Sequence, residues 1–429
     1  MAIRWLEEID ADNVSEAGGK GASLGELVRA GLPVPPAFVV SAETYRNFIE
    51  EAGIAEELFA VVDVDTEDSP ALSEAAERAA ELITETPMPA SVREEILAAF
   101  DDLATRGPDG EDREAGGGPK ETAVAVRSSA TAEDLPGASF AGQQETFLGV
   151  SREDVIDRVR DCWASLFTQR AIYYRGEQGF SHREVDIAVV VQRMIDAEKA
   201  GVLFTSHPST GDPVMVVEAT WGLGEAVVAG EVSPDNYVID RTTGEVADVT
   251  VAEKNLMYVM DPETGRAEEQ PVPEDRRRER VLSEAELDRL LELGNTVEDH
   301  YGTPQDVEWG IADGTVYMLQ SRPVTTIAEG RDGASASGLG GDTGADEEGD
   351  VLLRAIGASP GRASGPVRIV QSVEHLDKVG SGDIIVTEMT TPDMVPAMRR
   401  AVGIVTDEGG MTSHAAIVSR ELGVPAVVG

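Results

Sequence analysis

The chain has 429 residues, enough for two or three domains each with its own core, and its 80 acidic against 35 basic residues leave a formal net charge of −45. So acidic a chain is excluded from the classes that bind nucleic acid or anionic lipid. Disorder fits poorly with 41% hydrophobic residues and regular strand and helix patterns; an acidic, hydrated surface on a folded enzyme adapted to high salt, where self-repulsion is screened, fits better. The single cysteine, Cys162, excludes an intramolecular disulfide and fits a reducing compartment. Its neighbours from Val159 to Phe167 read as a packed helix position, not as the setting of a nucleophile. The N-terminus has no apolar signal core, and no apolar run approaches the ~20 residues needed to cross a bilayer, so a cytoplasmic protein is expected.

In chain order, Gly18-Gly-Lys-Gly-Ala-Ser-Leu-Gly-Glu26 comes first. It is not a Walker A loop, which would need Gly where Val14 stands and Ser or Thr where Gly21 stands. It either places Lys20 at the mouth of a helix, where an ammonium meets phosphate, or is an ordinary Gly-rich helix entry. Helices are expected at 20–30, 42–52, 69–84, 91–104, 152–174 and 283–301. Strands are expected at 123–127, 185–194, 214–219, 237–240, 306–311 and 315–321. Residues 105–121 read as a surface loop. Arg127 ends a strand, so its guanidinium is aimed from a rigid element, and the small residues after it let backbone N–H groups approach phosphate oxygens. Trp221-Gly-Leu-Gly-Glu225 reads as a structural turn.

Asp306 and Glu308, two apart on one strand, point to the same face; Gln320 and Arg322 do so on the next strand, across the hairpin signal Ala312-Asp-Gly314. Two carboxylates and an amide oxygen suit Mg²⁺ with nucleotide phosphates, and Arg322 suits a phosphate oxygen. The competing reading is a cross-strand ion pair on a solvated sheet face. Mixed strands with helices gathered in blocks favour an α+β fold over a doubly wound sheet.

Residues 328–350, Gly/Ser/Ala/acidic without apolar anchors, read as a flexible linker between a large unit and a small one at 351–429. In the small unit, strands are expected at 365–371, 383–387, 402–406 and 426–428. His414 falls in the first turn of a helix capped by Thr412 or Ser413, where free N–H groups and the helix dipole favour an anion such as a phosphorylated imidazole. The alternative is a capping-region histidine bonded to a carbonyl. His182, His207, His300 and His375 lack zinc-site spacing, and no structural metal is expected.

Taken together, GGKGASLGEL at 18–27, GLPVPPAFVV at 31–40, AVRSSATAEDLPGASFAGQQETFLGV at 125–150, the DVEWG and LQSRPV strands, and GGMTSHAAIVSRELGVPAVVG resemble the phosphoenolpyruvate synthase (pyruvate, water dikinase) family. The resemblance implies an ATP-grasp-type ATP-binding domain at 1–327, the linker at 328–350 as hinge, and a swivelling phosphohistidine domain at 351–429. It implies that His414 takes a phosphoryl group from ATP. Lys20 and Arg127 would contact nucleotide phosphates, Gly142 and Thr146 would line the loop over the nucleotide, and Gln192 would lie near the adenosine. Glu308 and Gln320 would ligate Mg-ATP, assisted by Asp306 and Arg322. Thr412 is similar to a threonine modified by a regulatory kinase, where a phosphate would repel triphosphate.

Family members usually continue into a C-terminal barrel for pyruvate or phosphoenolpyruvate, which has no counterpart in 1–429. That second site is expected on a missing domain or partner chain, with this chain alone autophosphorylating or slowly hydrolysing ATP. Homo-oligomerisation is compatible with the sequence. Alternatives are a pyruvate, phosphate dikinase, a rifampin-type phosphotransferase (disfavoured because a ~23-residue linker is too short to be an acceptor domain), and a non-enzymatic phosphoryl carrier or regulator.

Overall fold

A computed structural model of the chain describes residues 2–66, 68–107, 122–131, 145–261, 264–324 and 355–429. Gly142, the expected linker at 328–350 and most of 105–121 lie outside them. Packing divides the chain into two compact units: Met1–Asp196 with Met260–Glu268 and Tyr317–Ser321, and Ala197–Val259 with Glu269–Val316 and Arg322–Gly429.

The first unit is built on an antiparallel sheet of β1 (Ile3–Trp5), β2 (Ala37–Val40), β3 (Val124–Ala130), β4 (Thr146–Val150) and β5 (Ile187–Arg193), in the order β1-β2-β5-β3-β4. Strand alternation gives its faces opposite characters. Phe38, Val40, Val124, Val126, Val189 and Val191 point into an apolar core with Trp163, Phe48 and Phe100. Helices α2 (Ala42–Glu51), α4 (Ser69–Glu85), α5 (Ala90–Thr105) and α6 (Val155–Ala164) contribute to that core, as does α3 (Ala55–Val61), which the sequence reading lacked. Helix α1 (Val14–Arg29) covers the other face: a Cβ on Gly21 would lie 3.3 Å from Val39 and 3.8 Å from Val190.

The single helix expected over 152–174 is broken. A short 3-10 turn, Ser165–Phe167, follows α6, and Thr168 adopts an extended conformation (ψ 152°) to cap α7 (Gln169–Gln178) by accepting from the Ala171 N–H. A threonine hydroxyl outcompetes helix continuation there because it satisfies a free amide at a new N-terminus.

The second unit contains an antiparallel sheet of β6 (Lys199–Phe204), β7 (Val214–Trp221), β8 (Asp235–Asp240), β9 (Val246–Thr250) and β12 (Gln305–Ala312), ordered β12-β6-β7-β8-β9. Strands β10 (Leu256–Met260) and β11 (Ala267–Pro271) pair separately. The middle of β13 (Thr315–Pro323) belongs to the first unit and its ends to the second. On one face of the five strands, Glu308, Val202, Glu218, Asn236 and Thr250 form a row by direct pairing, with Asp306, Phe204, Val216, Val238 and Asp248 as the next row. Helix α9 (Glu284–Tyr301) packs on the other face: a Cβ on Gly294 would come within 2.9 Å of Leu203.

The C-terminal residues form β14 (Ile356–Ser359), β15 (Val367–Ile369), β16 (Ile384–Thr387), β17 (Gly403–Thr406) and β18 (Ala426–Val428), ordered β14-β18-β17-β16-β15. Four of these strands run parallel, and β14 is antiparallel at one edge. The short helix α8 (Glu225–Ala229) follows β7; α10 (Val395–Met398) and α11 (His414–Leu422) are the crossovers before and after β17. Val202, Phe204, Val214 and Val216 of the antiparallel sheet share a buried cluster with Ile385, Ile404, Met411, Ala415 and Ala416. The face carrying Asp306 and Glu308 is thus the one the C-terminal module covers.

Candidate functional site

In the first unit, Gly18 bends α1. Its φ of +69° and ψ of 175° are non-helical, and a Cβ there would stand 2.1 Å from the Ser129 carbonyl oxygen. Only glycine fits both conditions. The Ser129 hydroxyl bridges the bend, donating to the Ala17 carbonyl at 2.8 Å and accepting from the Gly21 N–H at 3.2 Å. Lys20 is thereby held against β3, its Nζ donating to the Ser128 carbonyl at 3.1 Å, and only 8% of it is exposed.

Arg127 lies on the α1-covered face of β3. Nη1 donates to the Leu319 carbonyl at 2.9 Å and Nη2 to Gln320 Oε1 at 2.5 Å. Gln192 shares that face, because it pairs with Ala125, two residues from Arg127. Thr146 shares it too, as the direct partner of Arg127. Gln192 is 3% exposed and its Nε2 donates to the Pro35 carbonyl at 3.4 Å, whereas Thr146 is exposed. Lys20, Arg127, Thr146, Gln192 and Gln320 therefore meet on one side of one sheet. A buried lysine and arginine beside neutral amides can attract an anion.

In the second unit, Asp306 and Glu308 face the same way on β12, but Asp306 is already paired: Arg322 Nε donates to its Oδ2 at 2.8 Å. The cross-strand ion pair is therefore present, and Arg322 keeps two-fifths of its side chain exposed. Among the described residues, no group of three or more His, Cys, Asp or Glu converges.

His414 opens α11, as the sequence indicates. Ser413 is the N-cap, its Oγ accepting from the Ala416 N–H, and Gly423 closes the helix in a left-handed conformation (φ 65°). The imidazole is half-buried, with Nδ1 2.7 Å from Thr390 Oγ1, which lies in the loop after β16. Nε2 is on the opposite edge of the ring. Thr390 carried no sequence signal beyond the turn-like Thr390-Thr-Pro-Asp393.

Glu218 was also missed, although a lone acid inside Val214-Met-Val-Val-Glu-Ala219 is such a signal: a charge in an all-apolar strand needs a partner. It is fully buried, and burial pushes its carboxyl above the usual range against the opposing pull of the Met411 N–H. The Trp221-to-Glu225 turn is structural, as expected: Gly222 (φ 76°) lets the Tyr258 carbonyl approach, and that carbonyl accepts from the Leu223 N–H at 2.8 Å. Cys162 lies in the core, where burial raises its thiol far from reactivity. No helix among the described residues is long and apolar enough to cross a membrane.

The amino-acid sequence has counterparts among known proteins. A family model described as the pyruvate phosphate dikinase AMP/ATP-binding domain matches residues 14–338, and one described as the PEP-utilising enzyme mobile domain matches 379–429. A probable phosphoenolpyruvate synthase of Methanothermobacter thermautotrophicus is 50% identical over the whole chain, and one of Archaeoglobus fulgidus is 51% identical. The chain belongs to the phosphoenolpyruvate synthase family. A phosphoenolpyruvate synthase of Pyrococcus furiosus is 43% identical, again across all of this chain. This family member spans 60%, 55% and 55% of the lengths of those three relatives. Its mixed α and β content agrees with an α+β nucleotide-binding domain followed by a PEP-utilising domain.

Proposed function

We propose that this chain is the ATP- and histidine-bearing part of a phosphoenolpyruvate synthase, in which His414 carries phosphate from ATP to pyruvate. The observation that carries this reading is His414 itself, at a capped helix N-terminus with Nδ1 against Thr390 Oγ1. When Nδ1–H donates to Thr390, the Nε2 lone pair is the nucleophile. The positive end of the helix dipole favours the phosphoryl group that forms there.

In this reading residues 1–327 belong to an ATP-grasp-type domain and 351–429 to a mobile domain. Lys20 and Arg127 offset charge on the ATP phosphates, with Thr146 over the nucleotide and Gln192 near the adenosine. The donors on β12 and β13 are all oxygens and no more than two are carboxylates, which fits a Mg²⁺ that binds mostly through phosphates and water. Asp306 and Glu308 would hold that ion, with Arg322 fixing Asp306; when bound it would neutralise charge on the phosphates. The β-phosphoryl group of ATP ends on Nε2, water takes the γ-phosphate, AMP leaves, and the phosphohistidine passes its phosphoryl group to pyruvate oxygen. Thr412 would be a modification point. The pyruvate site would lie on further sequence or a partner chain.

The test is incubation of the chain with ATP and Mg²⁺, then peptide mapping for acid-labile, base-stable phosphate. The reading expects it on the peptide containing His414, with AMP released. Absence of such phosphate, with His414→Ala indistinguishable from wild type, would remove it.

A further inference from the structure

The loop before His414 is held at its main chain, from two sides. Met411 N–H donates to Glu218 Oε1 at 2.5 Å, and Thr412 Oγ1 donates to Glu218 Oε2 at 3.2 Å. From the other side, Arg420 Nη2 donates to the Met411 carbonyl at 2.7 Å, while its Nη1 reaches the Ala358 carbonyl at 3.2 Å. One peptide segment is therefore clamped between a carboxylate on β7 and a guanidinium on α11. Glu218 stands in the same row of the sheet face as Glu308, with only Val202 between them. Gly410 shows the same fit independently: a Cβ there would lie 2.4 Å from Glu218 Oε1 and 2.8 Å from its Cδ. The loop lacks a side chain at the point where the carboxylate must pass.

We propose that Glu218 is a positioning residue that docks the His414 loop onto the sheet face bearing Asp306 and Glu308, through Met411 N–H and Thr412 Oγ1. The inference rests on the reading of His414 as phosphoryl acceptor for its purpose, but not for its geometry. A buried carboxylate is costly unless hydrogen-bonded, so an undocked loop leaves Glu218 with an unmet demand, and docking satisfies it. The loop has two satisfied states in a swivelling cycle only if water reaches Glu218 when the loop departs. Docking thus sets the distance and direction from which Nε2 approaches the nucleotide. A misplacement of about 1 Å at such a step costs on the order of 100-fold in rate.

The test uses the full chain and three variants: Glu218→Ala, Glu218→Gln, which keeps one acceptor oxygen, and Gly410→Ala, which closes the passage from the loop side. Hydrogen exchange reads the latch without any chemistry. Amide exchange in 408–416 is expected to rise at least tenfold in Glu218→Ala and Gly410→Ala, with Glu218→Gln between them and wild type, and exchange in 124–130 and 187–193 unchanged. Single-turnover labelling of His414 from ATP reads the positioning. It is expected to slow at least tenfold in the same order, with ATP affinity unchanged.

Loop exchange equal to wild type in both Glu218→Ala and Gly410→Ala overturns the latch. Raised exchange with undiminished labelling overturns the positioning role. Loss of labelling accompanied by raised exchange throughout the chain marks unfolding of that variant, and the other then decides. An unlabelled wild type removes the phosphoryl-acceptor reading and the positioning role with it, while exchange still decides whether Glu218 holds the loop.

Discussion

At the scale of single residues, the setting of Arg127 depends on shape as much as on charge. Arg127 uses two guanidinium nitrogens for two different acceptors, the Leu319 carbonyl and Gln320 Oε1. A lysine has no such fork. Arg127→Lys is therefore expected to behave almost like Arg127→Ala, each slowing single-turnover labelling of His414 by about 100-fold or more. Recovery of most of the rate by lysine would show that charge alone suffices. His182 gives a pH signature of another kind. Burial, and then Arg175, whose Nε donates to Nδ1 at 3.0 Å, lower its pKa to about 4 from an ordinary 6.5. Above pH 6.5 the ring is neutral folded or unfolded. Below it, the unfolded chain takes up a proton that the folded ring refuses, so stability falls progressively from pH 6.5 to about 4. Urea midpoints across that window should drop in wild type and drop less in His182→Gln; parallel curves would contradict the assignment.

At the scale of elements, the bend in α1 is the feature on which the placement of Lys20 depends. Gly18→Ala forces a side chain into a left-handed conformation and onto the Ser129 carbonyl. Strain of this kind costs about 1–3 kcal/mol, and displacement of α1 adds loss of nucleotide binding. A variant with unchanged melting temperature and unchanged ATP affinity would show that the bend does nothing. This element also marks what a sequence can reveal. The Gly-rich run announced a special helix entry, but the reason for it is Ser129, over a hundred residues away, which no local pattern reports. The long amphipathic helices were legible because their periodicity is local. The break at Thr168 was not, because a capping hydroxyl and a mid-helix threonine look alike in one dimension. Strands β1, β2, β4 and β6 escaped because short apolar runs lack a distinguishing period and are fixed by cross-strand pairing. Among site residues, His414, Lys20 and Arg127 stood out through their small-residue surroundings. Glu218 and Thr390 act through contacts made only in the folded chain.

At the scale of the whole molecule, charge dominates. With a net charge of −45, the folded chain repels itself wherever salt does not intervene. Raising ionic strength from 0.1 M to 1 M shortens the screening length from about 10 Å to about 3 Å. The urea midpoint is expected to rise over that range; an unchanged midpoint would separate the acidic composition from any adaptation to salt. The division into compact units bears on function as well. The module carrying His414 packs with the sheet that carries Asp306 and Glu308, so His414, the proposed acceptor, and two candidate nucleotide ligands belong to one unit.

The most direct measurement follows the two outer phosphates of ATP separately. The chain is mixed with Mg²⁺ and ATP labelled at either the β or the γ position, and His414 is isolated after a completed single turnover. A dikinase predicts lasting label on His414 from the β position, γ label recovered as inorganic phosphate, and one AMP per phosphohistidine. Lasting γ label on His414 with ADP as product, or no label on His414 from either position, would contradict it.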